Sequence, residues 1–434
     1  MNISIIGTGY VGLVQGACFA DTGNDVMCMD IDERLISALN KGTVPIYEPV
    51  LEELVRHNMH EGRLRFTTSL KTAIDESEII FLCLPTPQQE DGSADLRHIL
   101  TVSEEIAKLA ASPKILVSKS TVPVGTSEKI DQLVKKHSKQ QLDVVSNPEF
   151  LKEGSAVDDT LKPDRVVIGS RNTHAISVLT ELYTPFLRTG APILVMDERS
   201  AEMVKYAANA FLATKISFIN EIANLCEAVG ADVDQVRKGI GADPRIGTSF
   251  LFPGVGYGGS CLPKDVKALV NTAGESGYDF KVLKAVDMVN ETQKTLIVKK
   301  VKKYFAGNVQ GKTIAVWGLS FKPRTDDIRE APSLEIIRAL VGDGAIIRAH
   351  DPVAIPAVRA IIQSGVEFYD NNYDALKGAD ALIVVTEWNE FRRPDFEKMK
   401  KLMKQPVIFD GRNIYDPKTM KERGFIYIGI GRGG

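Results

Sequence analysis

With 434 residues, 44% hydrophobic and 25% charged, the chain has the composition of a globular protein and the length of two or three domains rather than one. A formal net charge of -3 gives no electrostatic case for nucleic acid or an anionic membrane as partner, so an anionic small ligand needs a local basic site. No apolar run approaches the ~18 residues of a bilayer-crossing helix.

The start, MNISIIGTGYVG, lacks the basic segment and cleavage site of a secretory signal, which points to a cytoplasmic protein. Within it, Ile3 to Ile6 reads as a strand, Gly7, Gly9 and Gly12 occupy the positions of GxGxxG, and Leu13 to Thr22 reads as a helix closed by Gly23. A second strand, Asp25 to Met29, delivers Asp30 eighteen residues beyond Gly12. Strand, glycine turn, helix, strand and acid form the dinucleotide fingerprint, in which glycines admit the pyrophosphate to the helix N-terminus and the acid accepts from a ribose hydroxyl. A carboxylate there repels a 2′-phosphate, so NAD is expected rather than NADP.

Strand-like runs follow at Glu78 to Leu84, Lys114 to Ser118, Asp143 to Val145, Arg165 to Ile168 and Ile193 to Val195, with helical segments between several of them. Such alternation predicts a doubly wound, mostly parallel sheet with ligands at the carboxyl ends of its strands. Three of those ends carry chemistry: LPTP with Thr86, STVPVGT with Thr121, and NPEFLKEG with Glu149 and Glu153. Taken singly, each is as readily a turn former or a helix cap.

Ser200 to Gly230 has no proline or internal glycine and is apolar over much of its circumference, which predicts one long helix capped by Ser200. Such a helix suits a connector between domains that also packs on a partner subunit. Lys205 and Asn209, four apart, share one face. Next comes GVGYGGSCLPKD, Gly254 to Asp265; alone, Cys261 reads as an ordinary buried thiol, but glycines before it and Lys264 and Asp265 after it are not core surroundings. The other cysteines, Cys18, Cys28, Cys83 and Cys226, are scattered without a CxxC pair, and the six histidines show no HExxH spacing, so reduced thiols and no metal are expected.

From Asn308 the chain repeats its opening more weakly. QGKTIAVWG mirrors the first strand and turn, and IIRAHDP puts Asp351 in the place of Asp30. After Gly318 the second and third glycines are missing and the turn reads LSFKPRTDD, which argues against a second dinucleotide, while Lys322 and Arg324 suit a phosphate-bearing substrate.

A nicotinamide, a cysteine and a lysine together can take an alcohol through an aldehyde, a thiohemiacetal and a thioester to a carboxylate. GTGYVG, STVPVGT, NPEFLKEG, KYAANAFLA, GVGYGGSCLPKD and FKPRTDDIREAPS, in this order and spacing, resemble the UDP-glucose 6-dehydrogenases within the UDP-glucose/GDP-mannose dehydrogenase family, over nearly the whole chain up to about Arg412. The resemblance implies an α/β fold of two Rossmann-like doubly wound parallel-sheet domains joined by a long central helix, divided into residues 1–197 (NAD), 198–300 (central, dimerising, with the cysteine loop) and 301–434 (UDP-sugar).

It implies Cys261 as nucleophile, Lys205 and Asn209 facing the reacting oxygen, and Asp265 positioning water with Thr121 and Glu149 completing the network. NAD is expected at Gly7, Gly9, Tyr10, Val11, Gly12, Asp30, Thr86, Thr121, Glu153, Lys264 and Arg329. UDP-glucose is expected against Glu149, Phe150, Leu151, Lys152, Glu153, Lys205, Asn209, Phe250, Leu251, Phe252, Pro253, Gly254, Gly258, Phe321 and Lys322. Arg245 is expected to reach the neighbouring subunit's substrate in a homodimer. Oxidation of GDP-mannose or a UDP-N-acetylhexosamine by the same chemistry is the nearest alternative. A two-electron hydroxyacid dehydrogenase needs no cysteine, and a silent nucleotide-binding scaffold has no use for an intact Cys261, Lys205 and Asp265.

Overall fold

The computed structural model of the chain describes residues 1–89, 92–188 and 190–432. They form two compact units, Met1–Ala208 with Asn271–Ser276, and Asn209–Val270 with Gly277–Gly434.

The first unit is built on eight strands: β1 (Asn2–Ile6), β2 (Asp25–Met29), β3 (Leu64–Thr67), β4 (Ile79–Leu82), β5 (Lys114–Ser118), β6 (Leu142–Ser146), β7 (Val166–Gly169) and β8 (Ile193–Met196). Their order is β3-β2-β1-β4-β5-β6-β7-β8, parallel throughout except where β7 meets β6 antiparallel at Ser146 and Gly169. The chain order reverses beside β1, so the GTGYVG turn and the β4 end open at the point where a doubly wound sheet takes its ligand. Strands β1, β4 and β5 are buried along most or all of their length, as expected for a parallel sheet covered on both faces. Phe19 and Phe81 meet at 5.1 Å between ring centres in the core on one face.

The second unit carries a wholly parallel sheet of β9 (Thr313–Trp317), β10 (Ile346–His350), β11 (Val366–Phe368), β12 (Ala381–Val384), β13 (Val407–Asp410) and β14 (Ile426–Ile428), in the order β11-β10-β9-β12-β13-β14. This repeats the β3-β2-β1-β4-β5-β6 order of the first sheet, so the internal repeat read from the sequence is a repeat of topology. The equivalence extends to single bonds. Thr8 N donates to Asp30 Oδ2 at 2.8 Å, and Leu319 N donates to Asp351 Oδ2 at 2.7 Å.

The predicted long helix exists as Glu198–Val229, 32 residues, and begins two residues earlier than Ser200. Asp197 holds its start instead, accepting from Ser200 N at 2.9 Å and from Ser200 Oγ at 2.7 Å. The helix is not covered on all sides within the chain: Tyr206, Ala210, Ala213, Ile219, Ala223 and Cys226 are buried, while Phe211, Phe218, Leu225 and Val229 are each more than half exposed. The first helix likewise starts earlier than Leu13, at Tyr10, because Gly9 is already its N-cap.

Candidate active site

The GTGYVG turn is shaped by close approach. Gly7 has φ +96°, and a Cβ on Gly12 would lie 1.9 Å from the Gly7 carbonyl oxygen, so only glycine lets the helix start directly over β1. A Cβ on Gly9 would meet nothing within 4 Å, and no side chain caps the helix it begins, which leaves bare N–H groups of Tyr10–Asp21 with their positive end facing the strand ends. The buried Thr8 hydroxyl has no hydrogen-bond partner in the structure. Half-buried Asp30 accepts from Thr8 N and from Asp32 N at 3.1 Å, which fixes its carboxylate beside the turn. A bare helix end, an admitting glycine and a fixed carboxylate fit a dinucleotide.

The second copy lacks this fit. Asp351 is 2% exposed and accepts from Leu319 N, Ser320 N, Val353 N, Ala354 N and the Trp388 indole, so its oxygens are spent on the protein. The helix Pro332–Gly342 begins far beyond Gly318, and the long LSFKPRTDDIREA loop separates them.

At the strand ends of the first unit, Thr86 Oγ1 donates to the Thr121 carbonyl at 2.8 Å, tying the LPTP and STVPVGT loops together. Buried Glu202 secures the latter loop by accepting from Gly125 N and Ser127 N, at 2.5 and 2.7 Å. Thr121 and Glu149 make no hydrogen bond to each other. Glu149 instead pairs with Lys205, Oε1 to Nζ 2.9 Å, while its Oε2 accepts from Leu151 N at 2.6 Å; both side chains are almost fully buried. Burial alone would raise the Glu149 carboxyl, but Lys205, the Leu151 N–H and Lys119 outweigh it and hold the group below its ordinary range. The Phe150 ring has two cations near it, with Arg165 Cζ 3.7 Å and Lys205 Nζ 5.5 Å from its centre. Lys152 pairs with Asp159 at 2.9 Å.

Two features here have no signal in the sequence. Buried Glu48 accepts from Gly154 N at 2.6 Å, from Ala156 N at 2.8 Å and from the Tyr10 hydroxyl, joining the GTGYVG turn to the NPEFLKEG loop. Lys119, 4% exposed, donates to Asn147 Oδ1 and Tyr183 Oη, each at 3.0 Å.

In the second unit Asn209 Nδ2 donates to Asp265 Oδ2 at 2.7 Å, and Lys264 Nζ bonds Asp265 Oδ1 at 2.7 Å. Asp265 has no exposed surface, so the charge of Lys264 is answered locally rather than left to act on the thiol three residues earlier. Cys261 is exposed and precedes the helix Leu262–Glu275; its carbonyl accepts from Asp265 N at 2.8 Å, and its sulfur lies 3.5 Å from Ser260 Oγ. The N-terminal end of that helix favours an anionic sulfur. The other four cysteines are buried or half-buried, and burial pushes the thiols of Cys18 and Cys83 up to about 12 and that of Cys28 higher still.

The glycine loop before Cys261 is gripped from one helix, Lys281–Lys294. Asn290 Oδ1 accepts from Tyr257 N at 2.8 Å, its Nδ2 donates to Tyr257 O at 3.0 Å, and Gln293 Nε2 donates to Gly254 O at 2.7 Å. Gly254 N donates to Asn220 Oδ1 at 2.8 Å. Gly259, at φ +88°, donates to Arg329 O at 2.8 Å, and a Cβ on Gly258 would lie 2.3 Å from Glu330 O. Phe250 and Glu330 adopt left-handed backbone at φ +63° and +52°. Leu251 and Pro253 are buried, whereas Phe252 is exposed with Arg237 Cζ 4.8 Å from its ring centre. Arg329 and Arg245 each make paired bonds to a carboxylate two residues back, Asp327 and Asp243. Lys322 lies over the Phe321 ring at 5.2 Å.

Residues 1–187, 199–292 and 315–417 match in turn the NAD-binding, central and UDP-binding domains of the UDP-glucose/GDP-mannose dehydrogenase family. The chain belongs to this family. Among relatives, the UDP-glucose 6-dehydrogenase of Pseudomonas aeruginosa is 50% identical, covering 100% of this chain and 98% of its own. The UDP-glucose dehydrogenase structure from Pyrobaculum islandicum, 35% identical, superposes with a TM-score of 0.91 over 99% of this chain and 97% of that one. A UDP-D-ManNAc dehydrogenase from Pyrococcus horikoshii, 28% identical, gives 0.87 over 100% and 99%. As a UDP-glucose/GDP-mannose dehydrogenase family member, the protein is an NAD-dependent oxidoreductase acting on a UDP-sugar, and the turn with Asp30 lies in its NAD-binding domain. No helix among the described residues is long and apolar enough to cross a membrane, and no group of three metal-ligating side chains occurs among them.

Proposed function

We propose that the protein oxidises UDP-glucose to UDP-glucuronate in two steps, with Cys261 holding the sugar covalently between them. The observation that carries this reading is the exposed Cys261 at a helix start, one turn from a fully buried Asp265 that Asn209 and Lys264 hold in place. NAD, when bound, supplies the hydride acceptor that each of the two oxidations needs, and Gly7, Gly9, Tyr10, Val11, Gly12, Asp30, Thr86, Thr121, Glu153, Lys264 and Arg329 are the residues proposed to hold it. The Cys261 thiolate adds to the C6 aldehyde carbon; the C–S bond forms as the carbonyl π pair moves to oxygen. Lys205 and Asn209 then face that oxyanion with an ammonium and an amide N–H. At the thioester stage Asp265 orients a water whose oxygen replaces sulfur at C6, releasing the thiolate, with Thr121 and Glu149 steadying the surroundings.

The sugar nucleotide is proposed to lie against residues 149–153, Lys205, Asn209, residues 250–254, Gly258, Phe321 and Lys322, within a division of the chain at 1–197, 198–300 and 301–434. The exposed apolar side chains Phe211, Phe218, Leu225 and Val229 along the long helix support a homodimer, in which Arg245 reaches the partner's substrate. A cytoplasmic setting is proposed as well, in keeping with cysteines that are scattered along the chain without a CxxC pair. The test is a count of NADH formed per sugar nucleotide over UDP-glucose, GDP-mannose and UDP-N-acetylhexosamines. Two NADH from UDP-glucose, with the others slow, supports the reading; preference for another sugar nucleotide overturns the substrate, and one NADH per sugar overturns the chemistry.

A further inference from the structure

Behind Glu149 lies a cavity of about 50 Å³, room for about three waters, whose lining includes Gln15, Lys119, Asn147, Glu149 and Tyr183. The lining also includes exposed Asp164 and half-buried Asp159 and Arg165. Two observations mark it as more than a packing gap. Gln15, 2% exposed, has an amide nitrogen without a hydrogen-bond partner in the structure, a donor that a cavity water would satisfy. Lys119 is a buried lysine whose hydrogen-bond partners, Asn147 and Tyr183, are both neutral. Burying an ammonium without a contacting carboxylate is expensive, and the expense is intelligible where the amine is meant to change its charge.

We propose that this cavity is a water-filled proton outlet for the Lys205–Glu149 pair, with the Lys119 amine as its proton acceptor. The proposal rests on the reading that Lys205 faces the reacting C6 oxygen, with Glu149 reaching the site through its ion pair with Lys205. Oxidation of the alcohol breaks its O–H bond, and that proton must leave the reacting oxygen. The electron pair of the C–H bond departs separately, to the dinucleotide, and does not enter the relay. Glu149 passes the proton on but does not store it, since its neighbours keep it a carboxylate. Each hop through cavity water breaks one O–H bond and forms another, until the Lys119 lone pair takes the proton; the ammonium returns it to water before the next oxidation.

The groups facing Lys119 are Cys83 after β4, Tyr183 on the helix Thr173–Tyr183, Glu149 after β6 and Lys205 on the long helix. Burial dominates among them and brings the Lys119 ammonium down to about 8, close to working pH and suited to a store that fills and empties.

The test uses the full-length enzyme with NAD and UDP-glucose between pH 6.5 and 9.5. Wild-type kcat is expected to rise through about pH 8 as Lys119 becomes free to accept. In Lys119→Met that limb disappears and kcat at pH 8.5 falls about tenfold, while the yield stays at two NADH per sugar. Tyr183→Phe removes an acceptor of the ammonium, favours the neutral amine and moves the limb to lower pH; it decides the matter if Lys119→Met does not fold. Differential acid–base titration without substrate gives an independent readout: wild type should take up one proton per chain near pH 8 that Lys119→Met does not. A limb unchanged in either variant, or identical titrations, overturns the relay. Loss of the two-NADH yield in the wild type itself would instead overturn the reading on which it rests.

Discussion

Glu149→Gln isolates the buried ion pair of the first unit. Glutamine is nearly isosteric and keeps an oxygen for Leu151 N, so the change removes the charge opposite Lys205 and little else. Lys205 is 3% exposed and cannot recruit bulk water. Removing the charge of one member of a buried pair costs about 3–5 kcal/mol. Lys205 can limit the loss by shedding its proton, which from an ordinary value near 10.4 costs about 4.6 kcal/mol at pH 7 and caps the penalty there. Both tryptophans, Trp317 and Trp388, belong to the second unit, so fluorescence is blind to this change. Hydrogen exchange of amides in β5 and β6 is the appropriate assay, and these should open about 10²–10³-fold more readily in the variant at pH 7. The gap should narrow toward pH 10, where the lysine proton leaves cheaply. It should also narrow in acid: the folded Glu149 carboxyl lies below its ordinary value, so its stabilisation is complete above about pH 4.3 and drains as pH falls through the lower folded value. Equal exchange at pH 7 in the two proteins would refute a buried, mutually dependent pair.

Other expectations follow from the same geometry. Asp30→Asn keeps an acceptor for Thr8 N but loses the charge beside the turn, so NAD affinity measured calorimetrically should weaken about 10- to 100-fold, the value of one or two bonds to a charged group; unchanged affinity would remove Asp30 from the cofactor site. Native protein should show one fast-reacting thiol per chain toward a disulfide reagent at pH 8, absent in Cys261→Ser, because the other cysteines are buried or half-buried, with the thiols of Cys18, Cys28 and Cys83 pushed up. Phe218→Asp places a charge in the exposed stripe of the long helix and should halve the native mass measured by light scattering; an unchanged dimer would move the interface elsewhere.

What the sequence makes legible is what local geometry determines. The turn at Gly7 to Gly12 is readable because close backbone approach admits only glycine there, and Asp30 follows at the end of the next strand. The second half is readable as a degraded copy because its sheet keeps the order of the first, and the missing glycines correspond to a turn where the helix no longer begins. The site is legible only in pieces. Glu149 and Lys205 are 56 residues apart, as are Asn209 and Asp265, and no periodicity joins such pairs; resemblance to a family named the residues, and only the fold brings them within hydrogen-bond reach. Lys119 gave no signal at all, because a lysine at a strand end is by default a solvated one, and its burial depends on Asn147 and Tyr183 arriving from other elements. Helix starts slipped where an early residue already capped, Gly9 in one case and Asp197 in the other.

The central claim is covalent capture at Cys261, and Cys261→Ser incubated with NAD and UDP-glucose tests it most directly, with NADH counted and the sugar product identified by mass. The account predicts that UDP-glucuronate formation stops while NAD and UDP-glucose still bind. Two NADH and one carboxylate per sugar at the wild-type rate would contradict it.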